Sequence, residues 1–168
     1  NGRSLPWRED TNPYHVWVSE IMLQQTRIEA VIPYYQRFLK ELPNVQALAE
    51  AEPDRLQKLW EGLGYYSRVR NLQKAARQIM ELYDGNFPDS YESIRSLSGI
   101  GDYTAGAIGS ICFNLPTPAV DGNVLRVISR ITEDVRPINT EEILYSPVMI
   151  SSSPGIFPKS SFFLIIPF

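Results

Sequence analysis

Two carboxylates in this chain sit where a carboxylate can do acid–base work. Glu20 lies inside "WVSEIMLQQT" (17–26), where Val18, Ile21, Met22 and Leu23 read as core and Trp17 can join them. Held in an apolar wall, a carboxyl keeps its proton towards neutral pH, because burial penalises the charged form. Glu20 is therefore a candidate general acid. The plainer reading is a solvated residue on the outer face of an amphipathic helix. Asp121 lies in "PAVDGNVLRV" (118–127), after a loop and before a helical run. There it can cap the helix by accepting amide hydrogen bonds. Those bonds also keep it ionised, so capping and catalysis are compatible.

Three further stretches suit a nucleic-acid partner. In "LSGIGDYTAGAI" (97–108), Gly99 and Gly101 form a turn between two helical segments. Glycines there permit unusual backbone angles and leave no side chains in the way of a close approach. Amides around such a turn and at the start of the next helix can grip a DNA phosphate without reading sequence. A plain packing joint between helices accounts for the glycines equally well. In "GLGYYSR" (62–68), Tyr65 and Tyr66 precede Ser67 and a basic residue, a combination suited to base stacking beside a phosphate backbone. A core-filling aromatic turn is the other reading. Gln24, Gln25 and Thr26 form a polar cluster where the Glu20 helix ends, which is also what ordinary helix termination looks like.

The elements that must position these residues are helical. Apolar residues recur three and four apart over Tyr14–Gln24 and Ile28–Leu42, the second run carrying Pro33. Short helices are expected at Val45–Ala51 and at Pro53–Trp60, where Pro53 suits a first helical position. "GLGYY" breaks the pattern, and Ser67–Tyr83 reads as a long helix stopped by "DGNFP". Helices over Ser90–Leu97 and Tyr103–Phe113 flank the Gly99–Gly101 turn, and Asp121–Ile131 reads as helix again. No alternating strand pattern precedes residue 140, so the fold class is mostly α.

Composition narrows the classes. The chain has 168 residues, a net charge of −3 and one cysteine, Cys112. One cysteine excludes an internal disulfide and any four-cysteine metal site built from this chain alone. Its apolar company in "GSICFN" reads as a buried structural thiol. No stretch reaches the roughly 20 apolar residues a membrane helix needs, and no signal peptide is recognisable. The net charge argues mildly against nucleic acid, but Arg70, Lys74 and Arg77 fall on one helix face and form a local basic patch. The same spacing suits a merely solvated face. His15 has no assigned role.

Taken in order, "LPWR" (5–8), "WVSEIMLQQT", "WEGLGYYSRVRNL" (60–72), "LSGIGDYTAGAI" and "PAVDGNVLRV" resemble the helix-hairpin-helix DNA glycosylase superfamily, and within it the adenine DNA glycosylases of the MutY family. The resemblance spans residues from about Gly2 to Asn139. It implies an endonuclease III-like helical domain over 1–144, with the hairpin at about 91–113. It implies base-excision repair, in which adenine opposite 8-oxoguanine or guanine is flipped out of duplex DNA and released. By resemblance, Glu20 protonates the adenine and Asp121 stabilises the oxocarbenium-like sugar, with Tyr103 and Asn123 hydrogen-bonding in the site. Val18, Met22 and Leu23 are expected to form the wall around Glu20. Arg3, Leu5, Trp7 and Arg8 are placed around the flipped base. Gln25 and Tyr66 are expected to wedge beside 8-oxoguanine and Thr26 to help read it, with Gln24, Tyr65, Ser67, Gly99 and Gly101 as further DNA contacts. Lyase relatives carry a lysine where this chain has Tyr103, so a monofunctional glycosylase is expected.

The family's [4Fe–4S] cluster is implied as well, although its four cysteine ligands are absent from this chain. The resemblance also implies a monomer with no membrane partner and, in a bacterium, a cytoplasmic, nucleoid-associated location. It fades after about Leu144. Residues 145–168, ending "SFFLIIPF", are expected to be a divergent tail, disordered or aberrant. The missing Met and the absent later helices fit a chain that begins and ends inside a longer product. The alternative expectation is thus a truncated, catalytically weak DNA-binding fragment.

Overall fold

The computed structural model describes residues 5–119 together with Arg126 and Arg130. The chain divides into two compact units, Asn1–Pro118 and Ala119–Phe168. Every element with described bounds belongs to the first. A 3-10 turn at Pro6–Arg8 leads into helices α1 (Pro13–Leu23), α2 (Ile28–Glu41), α3 (Val45–Glu50), α4 (Pro53–Trp60), α5 (Ser67–Tyr83), α6 (Tyr91–Arg95) and α7 (Asp102–Phe113). No strand occurs among the described residues. The expected helix over 121–131, the boundary at 144 and the tail lie outside them, except that Arg126 and Arg130 are helical and exposed.

The helix starts follow local chemistry. Asn12 caps α1 by accepting from the Tyr14 amide, with Pro13 pre-set for the first turn. Asn44 caps α3 through the Ala47 N–H, and Ser90 caps α6 through that of Ser93. Asp84 and Asn114 close α5 and α7 in the left-handed conformation, which short polar side chains tolerate. Pro33 is carried inside α2 rather than near its start.

Helix α1 is the central element. Seven of its eleven residues are buried, so it is covered on nearly every side and lacks the single apolar face that its periodicity suggested. It packs on α2, α5 and α7. The approach of α7 is helped by small residues, since Ala105, Gly106, Ala107 and Gly109 are all buried. Aromatic side chains lock the core edge to face: Trp17 on Phe87 at 5.5 Å and Phe38 on Trp60 at 5.9 Å between ring centroids. Truncating a fully buried residue such as Trp17 or Trp60 to Ala would cost about 3–5 kcal/mol.

Candidate active site and nucleic-acid interface

Glu20 is half-buried on α1. Helix geometry decides its company. Residues three and four away share its face, namely Val16, Trp17, Leu23 and Gln24. Val18 and Met22, two residues away, point about 160° round the helix. They are fully buried on the far side of α1 and cannot wall the Glu20 carboxyl. Of the expected wall only Leu23 lies on the right face, and Trp17 and Val16 replace the other two. Across the helix pair, burial and then the charges of Asp10 and Glu20 push the Cys112 thiol up to about 12. That places the α1 carboxylate within electrostatic reach of α7. Tyr103, half-buried, stands in the first turn of the same helix.

The hairpin is built by α6, the turn Leu97–Gly101 and α7. Gly99 adopts φ +77°, and a Cβ on it would come 2.7 Å from the Asn71 Cβ of α5. This glycine is therefore needed for packing, as one of its two sequence readings held. Gly101 differs, since its φ is −93° and a Cβ there would meet nothing within 4 Å. The fold does not require its bareness, which leaves open space in front of the α7 N-terminus. The Ser98 amide donates to Gln78 Oε1 at 2.8 Å, whereas the Gly99 and Gly101 amides have no partner among the described residues. Arg95 braces the turn by pairing with Asp102 and donating to the Ile100 carbonyl at 2.9 Å.

The third part of the surface joins two loops. Gln24 and Gln25 are exposed and Thr26 is half-exposed at the end of α1. Tyr65 is 63% exposed, Tyr66 39%, and Ser67 is exposed as well. The tyrosine that projects furthest is thus Tyr65 rather than Tyr66, which serves as the N-cap residue of α5. Between the two loops lies Arg68, only 9% exposed. One of its terminal nitrogens donates to the carbonyls of Ile21, Met22 and Gln24, and the other to those of Leu63 and Gly64. The basic residue after the tyrosines is therefore not offered to a phosphate. A cavity of about 220 Å³ opens beside it, lined in part by Trp17, Gln24, Ser67, Arg68, Ser98 and Gly99. Arg68 was legible as more than a surface base, because it stands four residues before Leu72 and eleven before Ile79, on the buried stripe of α5.

Other expected site residues fall differently. Leu5 and Trp7 are buried core residues, Trp7 edge-on to Tyr35 at 5.5 Å, and only Arg8 of "LPWR" is freely exposed. Their apolar area outweighs any pull toward the surface. Arg3, Asp121 and Asn123 lie outside the described residues. Arg70, Lys74 and Arg77 are exposed, as either reading of that face requires, while Arg77 also holds the Ala49 carbonyl at 3.1 Å. His15 pairs with Asp10 at 2.8 Å. A four-thiolate iron–sulfur site cannot be built from this chain alone, which has one, half-buried cysteine.

This arrangement of helices and hairpin matches known structures. A thermostable thymine-DNA glycosylase superposes with a TM-score of 0.78 at 24% identity, covering 90% of this chain and 72% of that one. An endonuclease III in a non-covalent DNA complex gives a TM-score of 0.74 at 22% identity, over 90% of this chain and 68% of that one. The fold is that of the helix-hairpin-helix DNA glycosylases. Residues 18–146 match the HhH-GPD superfamily of base excision DNA repair proteins, and the chain belongs to that family. Among its relatives, the adenine DNA glycosylase of Buchnera aphidicola subsp. Baizongia pistaciae is 49% identical over 128 residues, 76% of this chain and 36% of that protein. Those of Mus musculus and Homo sapiens are 49% and 47% identical over 138 residues, 77% of this chain and 27% and 25% of theirs. The chain thus spans about a quarter to just over a third of the length of these relatives. Among the described residues, no helix is long and apolar enough to cross a membrane.

Proposed function

We propose that this chain carries the catalytic helical part of a monofunctional adenine DNA glycosylase acting on duplex DNA with adenine opposite 8-oxoguanine or guanine. The observation that carries this reading is the identity of 47–49% to adenine DNA glycosylases over about three quarters of the chain, beside a family match over residues 18–146 that takes in Glu20, the hairpin and Tyr103. Glu20 protonates the imidazole part of the flipped adenine. The bond from sugar C1′ to the base then breaks, its electron pair leaves with a neutral adenine, and water adds its oxygen to C1′ and returns a proton to the Glu20 carboxylate, which completes hydrolysis. Asp121, ionised, stabilises the cationic sugar, and Tyr103 and Asn123 orient the site. The open space at Gly101 and the amides of Gly99 and Gly101 receive a phosphate. Gln25 and Tyr65 enter the opened duplex, and Thr26 reads the base opposite. Because the hairpin has no lysine at Tyr103, no Schiff base forms there.

Single-turnover release of adenine from a duplex with adenine opposite 8-oxoguanine tests this reading. Release without efficient borohydride trapping is expected, and trapping as strong as a lyase gives would overturn the monofunctional assignment. A second reading is a segment that binds duplex DNA through the hairpin with weak activity. Salt-dependent duplex binding without base release would select it.

A further inference from the structure

The residues proposed to enter DNA are held in an unusual backbone state. Gln25 has φ +59° and Tyr65 has φ +46°. Left-handed backbone is unfavourable for a residue other than glycine, and neither Gln nor Tyr has the short polar side chain that eases it. Asp84 and Asn114, also left-handed, do, and both sit at ordinary helix ends. Strain of this kind persists only where surrounding contacts over-determine it.

Those contacts converge on one side chain. Arg68 donates to the Gln24 carbonyl, immediately before Gln25, and to the Gly64 carbonyl at 3.2 Å, immediately before Tyr65. Its own amide donates to the Tyr65 carbonyl at 2.9 Å, and its guanidinium lies 5.6 Å from the Tyr65 ring centroid. The fork reaches both loops at once, which only a planar guanidinium can do. Among the described residues no carboxylate pairs with it, so its charge is met by carbonyl oxygens. Those on the α1 side are carbonyls near a helix end, which attract cations.

We infer that Arg68 is the positioning residue that holds the Gln25 and Tyr65 loops in register, so that both enter the opened duplex together. This rests on the proposed glycosylase reading. In this role Arg68 acts through the two loops and need not touch DNA.

The test uses the full 168-residue chain. Arg68→Lys keeps the charge and loses the fork. Hydrogen exchange of the Thr26, Leu63 and Arg70 amides should accelerate together by about tenfold or more, while those of Leu48 and Ile94 stay protected. Preference for a duplex holding 8-oxoguanine opposite a non-cleavable adenine analogue, over undamaged duplex, should fall about tenfold. A uniform loss of protection, or an unchanged preference, would overturn the inference. If that variant does not fold, Gln25→Ala, Tyr65→Ala and their combination answer the same question at exposed sites. Coupling of about threefold or more in binding the 8-oxoguanine duplex supports the shared anchor, and additive effects sink it. Absence of any preference in the unmodified chain would instead count against the glycosylase reading, with the exchange result still deciding whether Arg68 holds the loops.

Discussion

The Oε1 of Gln78 accepts a hydrogen bond from the Ser98 backbone N–H at 2.8 Å, which fixes the hairpin turn to the long helix α5. The same helix presents Asn71 beneath Gly99. One helix therefore positions the proposed phosphate turn, while its first turn carries Arg68 and the Tyr65 loop.

The two hairpin glycines should part company on substitution. Gly99→Ala combines a left-handed φ with a Cβ 2.7 Å from Asn71, and should destabilise the chain by more than about 1 kcal/mol. Gly101→Ala meets nothing within 4 Å and should leave stability within about 0.5 kcal/mol. If Gly101 clears the way for a phosphate, DNA affinity should still fall. Urea melts beside duplex titrations separate the two effects, and unimpaired binding by Gly101→Ala would remove that role.

Glu20→Gln should lower adenine release by about a hundredfold or more, the ordinary contribution of a general acid. Binding of the same duplex should change little, because the amide keeps the carboxyl's shape. Single-turnover kinetics with a parallel titration checks this, and full activity in the variant would exclude Glu20 as the acid.

Cys112 reports on the acid helix. With its thiol pushed up to about 12, against an ordinary value of 9.0, its thiolate fraction at pH 8 falls about a thousandfold, so iodoacetamide should label it far more slowly in the folded chain than in urea. Glu20→Gln removes one of the negative charges that raise the thiol, so labelling of the folded variant should quicken. An unchanged rate would mean that the Glu20 charge does not reach Cys112.

Acid should loosen the hairpin in a defined direction. The Arg95 guanidinium beside Asp102 holds its carboxyl below the ordinary value of 3.8. A depressed carboxylate stabilises the fold above its unfolded value, and that contribution is lost as pH falls through the lower folded value. The pair is exposed, so the effect should be small. Below about pH 4, the denaturation midpoint of Asp102→Asn should decline less steeply than that of the unsubstituted chain. Parallel acid profiles would show that the pair contributes nothing.

Much of the helical layout was legible because its signals are local. Pro53–Trp60 and Ser67–Tyr83 have the bounds the pattern predicts, α2, α3 and α7 differ from it by one residue at one end, and α1 is shifted by one residue at both ends. Helix α6 is shorter than expected, since Ser90 serves as its cap and Ser96 and Leu97 already belong to the turn. Caps, proline starts and three-four periodicity act within a few residues, so they can be read without knowing what packs where.

By itself, then, the sequence determined where the helices of the described part run, that a hairpin joins α6 to α7, and that Glu20 and Asp121 are its candidate carboxylates. The tertiary structure alone decided which way each side chain faces. It put Val18 and Met22 on the far side of α1 from Glu20, drew Leu5 and Trp7 into the core, and split Gly99 from Gly101 by what lies above each. It also made Arg68 a buried link between two loops. The physical reason is common to all four. A face of a helix is covered by whatever element arrives from elsewhere in the chain, and α1 is covered by α2, α5 and α7 at once, a fact that no short window of sequence contains.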